Sequence, residues 1–234
     1  MAFINERDRK TIQGEFQALD RTVNLVLFTE ELNCQYCRET RQLLEEIASL
    51  SDKLNLEIYN IHTDQDKAAE FGIARTPATV VMNGKDYGIR YYGIPAGYEF
   101  GSLIEDIIDV SKGDSGLSSE TKAALAGVSE PVHFQVFVTP TCPYCPQAVR
   151  LAHKMAIEND MIRADMVEAN EFPELSQQYQ VMGVPRTIIN EDHYFEGAVP
   201  EKMFVSTLLQ SLDPKAPGDV LEISGVEDEW GNEN

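Results

Sequence analysis

The 234-residue sequence predicts an α/β fold of two tandem domains, each a central mixed β-sheet flanked by helices. Three observations carry that expectation. The only four cysteines form two Cys-x-x-Cys pairs, Cys34/Cys37 and Cys142/Cys145. The pairs lie 108 positions apart, and so do Pro77 and Pro185, each 40 residues after the second cysteine of its pair. Strand-like and helix-like segments also follow the same order around both pairs. A period this long marks duplicated domains rather than a solenoid.

In the first half, residues 22–28 form a short apolar β-run. A helical pattern follows, with Leu43, Leu44, Ile47 and Leu50 on one face. Residues 54–61 alternate like a strand, and a short helix over 67–71 leads to Pro77. Residues 78–82 are β-prone, Asn83-Gly84 is a hairpin turn, 89–92 is the return strand and 98–110 a closing amphipathic helix. The second half repeats the order: strand 132–138, helix 143–157, strand 161–168, helix 173–179, a hairpin of 186–190 with 194–196 across Glu191-Asp192-His193, and helix 201–212. A leading helix precedes each half, over 8–19 and 119–126. The Gly/Ser-rich stretch 111–120 is the expected boundary, giving domains 1–115 and 116–212. Residues 213–234, acidic and holding the only tryptophan, Trp230, read as a loosely held tail.

Hydrophobic residues make up 43%, enough for packed cores. The net charge of −20 argues against nucleic acid and against an anionic membrane surface, both of which select clustered Lys and Arg. No apolar run is long enough to span a bilayer. The first ten residues mix both charges without an apolar core, unlike a secretory signal, so a cytoplasmic setting is expected. Cysteines so spaced in that setting point to catalysis or metal binding rather than a structural disulfide framework.

Two intervening residues let a cysteine pair close a small disulfide ring at the start of a helix. Both pairs follow a β-run and open a helical pattern. The first cysteine then sits beside unpaired N–H groups and the positive end of the helix dipole, which favours the nucleophilic thiolate. Cys34 and Cys142 are therefore the expected attacking residues, and Cys37 and Cys145 the resolving ones. Pro143 suits a first helical turn. Pro77 and Pro185, each after a helix and before a strand, mark turns.

Each half resembles a thioredoxin/glutaredoxin domain. Cys142-Pro-Tyr-Cys145 carries the glutaredoxin dipeptide, and Cys34-Gln-Tyr-Cys37 is a near relative. In that superfamily a cis-proline faces the cysteines, and Pro77 and Pro185 match it. The resemblance implies that Thr76 and Val184 offer backbone groups to a bound polypeptide in strand-like fashion. Two such halves in one short chain, over residues 1 to 212, resemble the glutaredoxin-like protein disulfide oxidoreductases best known from thermophiles. No Trp precedes either motif, and the residues after Pro185 lack the Gly-Gly and acidic element that holds glutathione in glutaredoxins.

The expected activity is protein dithiol–disulfide exchange: reduction, oxidation or isomerisation of protein disulfides. No bound cofactor is called for, because the cysteines carry the electrons. The expected partners are proteins with disulfides or dithiols and a thioredoxin reductase-like flavoprotein. Glu168, on the strand before Pro185, is a candidate proton acceptor for the inner cysteine, against the plainer reading of a surface glutamate. His62, His133, His153 and His193 show no ligand spacing. Arg75 and Arg186 lie beside the prolines, and a solvated arginine is the plainer reading of each.

Two rival readings stand beside this one. Four thiolates could bind zinc, although zinc ribbons separate their pairs by about 15–20 residues and 104 intervene here. The tandem could instead be a redox sensor, or the electron relay of a peroxide-reducing system. The intact second pair favours a two-site catalyst.

Overall fold

A computed structural model describes residues 3–213 and 219–220. The first half runs α1 (Glu6–Glu15), a 3-10 turn (Phe16–Ala18), β1 (Val23–Thr29), α2 (Cys37–Ala48), β2 (Leu54–Asn60), α3 (Gln65–Glu70), β3 (Ala78–Met82), β4 (Asp86–Tyr92) and α4 (Glu99–Lys112). The second runs α5 (Ser119–Leu125), β5 (Val132–Val138), α6 (Cys145–Glu158), β6 (Ile162–Glu168), α7 (Pro173–Gln178), β7 (Arg186–Ile189), β8 (His193–Glu196) and α8 (Glu201–Ser211). Asp219–Val220 add a two-residue strand, β9, parallel to β8; the rest of the expected tail, Trp230 included, lies outside the described residues.

The described strands form one mixed sheet in the order β2-β1-β3-β4-β6-β5-β7-β8-β9. The two halves thus have the same internal order. The two sheets expected from the sequence are continuous, because β4 pairs with β6 in parallel, Ile89 opposite Ala164 and Tyr92 opposite Val167. The boundary stretch is packed as well: Ser111, Ser115 and Leu117 are buried, and Ser115 Oγ donates to Glu158 at 2.6 Å.

Helices α1, α2, α4, α5, α6 and α8 cover one face of the sheet, and the short α3 and α7 the other. Helix α2 shows why: Leu43, Leu44 and Ile47 recur at helical spacing and are buried, each contributing roughly 1.5–3 kcal/mol. Among the described residues no helix is long and apolar enough to cross a membrane.

Helices α4 and α6 lie side by side and parallel. Asp106 of α4 meets Arg150 and His153 of α6, and Arg150 also meets Glu105, at 3.1 Å, and Asp109. Asp106 and His153 are fully buried, and the Tyr91 hydroxyl donates to Asp106. Burial and the Arg150 charge push His153 down to about 3, so it is neutral.

Helix α6 begins at Cys145 rather than at residue 143. Cys142, Pro143 and Tyr144 form a turn ahead of it, and it is Pro146 that occupies the first helical turn. The cause is local: the Cys145 N–H points at Cys142 Sγ, 3.1 Å away, so sulfur takes the acceptor place at the helix start.

Candidate active site

Each cysteine pair sits between the C-terminal end of a central strand and a helix. Both are closed as disulfides, Cys34 to Cys37 and Cys142 to Cys145, with Cα atoms 5.5 Å apart in each. The outer cysteine is the more exposed in both: Cys34 is half-buried and Cys37 buried, while Cys142 is 8% exposed and Cys145 fully buried. That gradient suits an outer sulfur that meets substrate and an inner one that resolves. The pairs lie in separate halves, and each is bridged within itself.

The peptide bonds Thr76–Pro77 and Val184–Pro185 are cis. In the second half the Val184 carbonyl oxygen lies 3.7 Å from Cys142 Sγ, so the proline turn and the outer cysteine share one site. Both turns are fixed from behind by a glycine after the return strand of the hairpin, β4 or β8. Gly93 N–H donates to the Pro77 carbonyl at 2.9 Å and Gly197 N–H to the Pro185 carbonyl at 2.8 Å. Both glycines have positive φ, 95° and 85°. The 108-residue offset does not relate them, which is why the repeat did not reveal them.

The first half also builds part of the second site. Tyr98 N–H donates to the Pro140 carbonyl at 3.1 Å, two residues before Cys142. A Cβ on Gly97, which has φ +63°, would lie 2.1 Å from that same carbonyl oxygen, so only glycine allows the approach. Three apolar side chains stand exposed about this site: Tyr98, Tyr144 and Met182, the last at 92%. Leu32, 90% exposed, stands beside the first site.

Glu168 ends β6 and is buried. Its Oε1 accepts from Asn170 Nδ2 and its Oε2 from the Glu171 N–H, both at 2.7 Å, so both oxygens are engaged by the residues that follow it in the chain. A second carboxyl escaped the sequence reading. Glu99, in the first turn of α4, is 1% exposed; Ser102 Oγ donates to its Oε2 at 2.7 Å, and its Oε1 has no hydrogen-bond partner among the described residues. Burial pushes it up to about 7. The parallel register of α4 and α6 matches Tyr98 with Pro140 and Asp106 with Arg150 and His153. Glu99 lies one heptad before Asp106, about 10 Å towards the start of α4, the same end at which the parallel α6 begins with Cys145. Its signal in the sequence is the stripe Glu99, Leu103, Asp106, Val110, in which two acids share an otherwise apolar face.

Arg75 is exposed, as expected. Arg186 is not solvated: it is 7% exposed, lies 3.7 Å from the centre of the Tyr194 ring and pairs with Glu196 at 2.7 Å. The guanidinium plane stacks on the ring and so tolerates burial.

The thioredoxin domain family model matches residues 24–105 and again 132–210. Among solved structures, a protein disulfide oxidoreductase from Aeropyrum pernix is 33% identical, covering 88% of this chain and 93% of its own, with a TM-score of 0.83. The N-terminal domain of the alkyl hydroperoxide reductase AhpF from Enterococcus faecalis is 27% identical, covering 88% and 100%, with a TM-score of 0.82. The corresponding alkyl hydroperoxide reductase AhpF of Staphylococcus aureus is 28% identical over 194 residues, 80% of this chain. The chain spans 36% of that relative's length. Two matches to one family model, one on each disulfide-bearing half of a continuous sheet, establish that the chain belongs to the thioredoxin domain family.

Proposed function

We propose that this chain is a protein dithiol–disulfide oxidoreductase with two sites, Cys34/Cys37 and Cys142/Cys145. The observation that carries the reading is the duplicated set: an outer cysteine, a buried partner and a cis-proline turn, present in both halves. The outer thiolate attacks a substrate disulfide, forming a mixed disulfide and releasing one substrate thiolate, which takes up a proton. The inner cysteine, deprotonated, attacks the outer sulfur. The second substrate thiolate leaves and is protonated. The substrate gains two electrons and two protons, and the site becomes a disulfide. Run backwards, the same steps oxidise a dithiol.

Thr76 and Val184 offer backbone groups to an extended substrate segment, and Tyr98, Tyr144 and Met182 offer it apolar contact at the second site. The inner Cys145 must lose a proton. We take Glu99, whose Oε1 has no partner among the described residues, as the acceptor in preference to Glu168, whose oxygens both accept hydrogen bonds. The cysteines hold the electrons, so recycling draws on a separate reductant, a flavoprotein of the thioredoxin reductase type, in a cytoplasmic setting.

The deciding experiment is insulin reduction with dithiothreitol. The protein accelerates it, Cys34→Ser and Cys142→Ser each retain part of the rate, and the double variant retains none. A wild-type chain giving no acceleration sinks the reading. The similarity to AhpF across both halves supports a second reading, in which the partner is a peroxide-reducing enzyme and the tandem relays electrons to it. Transfer from the reduced chain to such an enzyme faster than to insulin would favour the relay.

A further inference from the structure

The two sites are not equivalent, and the difference starts with one residue. Between the end of β1 and Cys34 lie residues 30–33; between the end of β5 and Cys142 lie only residues 139–141. The longer loop begins with Glu30, and the shorter, Thr139-Pro140-Thr141, has no acid.

The Glu30 carboxylate gathers the surrounding segments. Thr76, the residue before cis-Pro77, donates its Oγ1 hydrogen to Glu30 Oε1 at 2.7 Å. His62, in the loop after β2, lies 3.0 Å from Oε2. The Asn33 N–H, one residue before Cys34, is a third partner. These contacts stabilise the charged form and hold the carboxyl below its ordinary range, the Thr76 hydrogen bond most, followed by that to His62. Glu30 is 14% exposed, whereas His62 is 69% exposed and is charged only when protonated. The second site has a different set: Val184, whose side chain cannot donate, replaces Thr76, and Asn170 replaces His62 at the same offset.

We propose that Glu30 is a positioning residue of the first site that biases Cys34 towards the thiol and the Cys34/Cys37 pair towards giving up electrons. Two effects act in the same direction. A fixed negative charge, bonded to the residue next to Cys34, opposes a second negative charge on sulfur. The Thr76 hydroxyl, on the residue before cis-Pro77, is committed to Glu30 and so is not free to donate to sulfur. Destabilising the thiolate destabilises the reduced site relative to its disulfide, which makes the site the stronger reductant. The electron and proton count of the exchange is unchanged. The proposal rests on the oxidoreductase reading only for its consequence, since the effect on Cys34 itself can be measured without any substrate.

The test uses the full chain, reduced with dithiothreitol, with and without Glu30→Gln, which keeps the shape and removes the charge. The pH dependence of iodoacetamide alkylation is read at Cys34 and at Cys142 separately by peptide mass mapping. The Cys34 midpoint falls by about one unit in the variant while that of Cys142 stays fixed. Equilibration with glutathione gives the second readout: the constant for reduction of the first site rises about three- to tenfold, a tenfold change corresponding to about 30 mV. A Cys34 midpoint that stays or rises overturns the proposal. So do midpoints that move together, because the effect is then not that of a residue of the first site. Failure of insulin reduction with the Cys34 shift intact would sink the oxidoreductase reading and leave Glu30's role standing.

Discussion

Asp106 of the first half accepts a hydrogen bond from the Nδ1 of His153 in the second, at 2.5 Å, and neither residue is exposed to solvent. The neutral imidazole donates, and the carboxylate answers the Arg150 guanidinium on its other side. A buried charge left without its partner is costly. Asp106→Ala is therefore expected to destabilise the chain by about 3–5 kcal/mol, read from urea unfolding. A loss under 1 kcal/mol would show that the seam between α4 and α6 does not depend on this pair.

Burial also raises several carboxyls where the halves meet, Glu99 and Glu171 furthest from their ordinary range together with Asp109. Glu99 and Glu171 are each pushed up to about 7 from 4.5, in both cases chiefly by desolvation. Their folded forms hold a proton more tightly than the unfolded chain does. Their contribution to stability is full below pH 4.5 and is lost as pH rises to about 7. Glu99→Gln should match the wild type at pH 4.5 and exceed it at pH 8 by on the order of 1–3 kcal/mol. An equal difference at both pH values would contradict the burial argument.

The same carboxyl bears on catalysis. With Glu99→Gln, the pH–rate profile of the second site, isolated in a Cys34→Ser chain, should lose its limb near pH 7. Glu168→Gln should leave the profile in place. A reversed pattern would return the proton acceptor to Glu168.

Gly97→Ala places a Cβ against the Pro140 carbonyl and forces a side chain into left-handed backbone, at a cost of roughly 1–2 kcal/mol. The strain lands on the loop before Cys142. Insulin reduction by the second site should fall at least tenfold, with the first site, assayed in a Cys142→Ser chain, reduced less than twofold. Equal losses would mean that the loop serves the fold alone.

Met182→Ala and Tyr144→Ser should raise the KM for a protein disulfide severalfold while leaving exchange with a small dithiol unchanged. Unequal effects of this kind identify a docking surface; parallel loss for both substrates would identify a structural role.

Much of this arrangement was legible in the sequence, because paired cysteines and prolines at one offset are few and chemically distinct. The strand and helix order followed from hydrophobic period. What was not legible depends on contacts distant in sequence. The pairing of β4 with β6 leaves no local mark, since a buried parallel strand reads the same beside any neighbour. Gly93 and Gly197 serve equivalent turns but break the offset. The constant spacing from cysteine to proline also hid the one-residue difference ahead of the cysteines, where Glu30 lies. Glu168 stands out in the sequence as an acid on the strand before Pro185, yet its partners are its own neighbours Asn170 and Glu171.

The shared sheet makes the tandem indivisible in a practical sense. Separating the halves between α4 and α5 would strip β4 and β6 of each other and leave each with a row of unsatisfied backbone donors and acceptors, a template for adhesion to any passing strand. Either half expressed alone would be prone to self-association. A lineage carrying this architecture can therefore retune one cysteine pair, or silence it, more readily than it can discard the half that bears it.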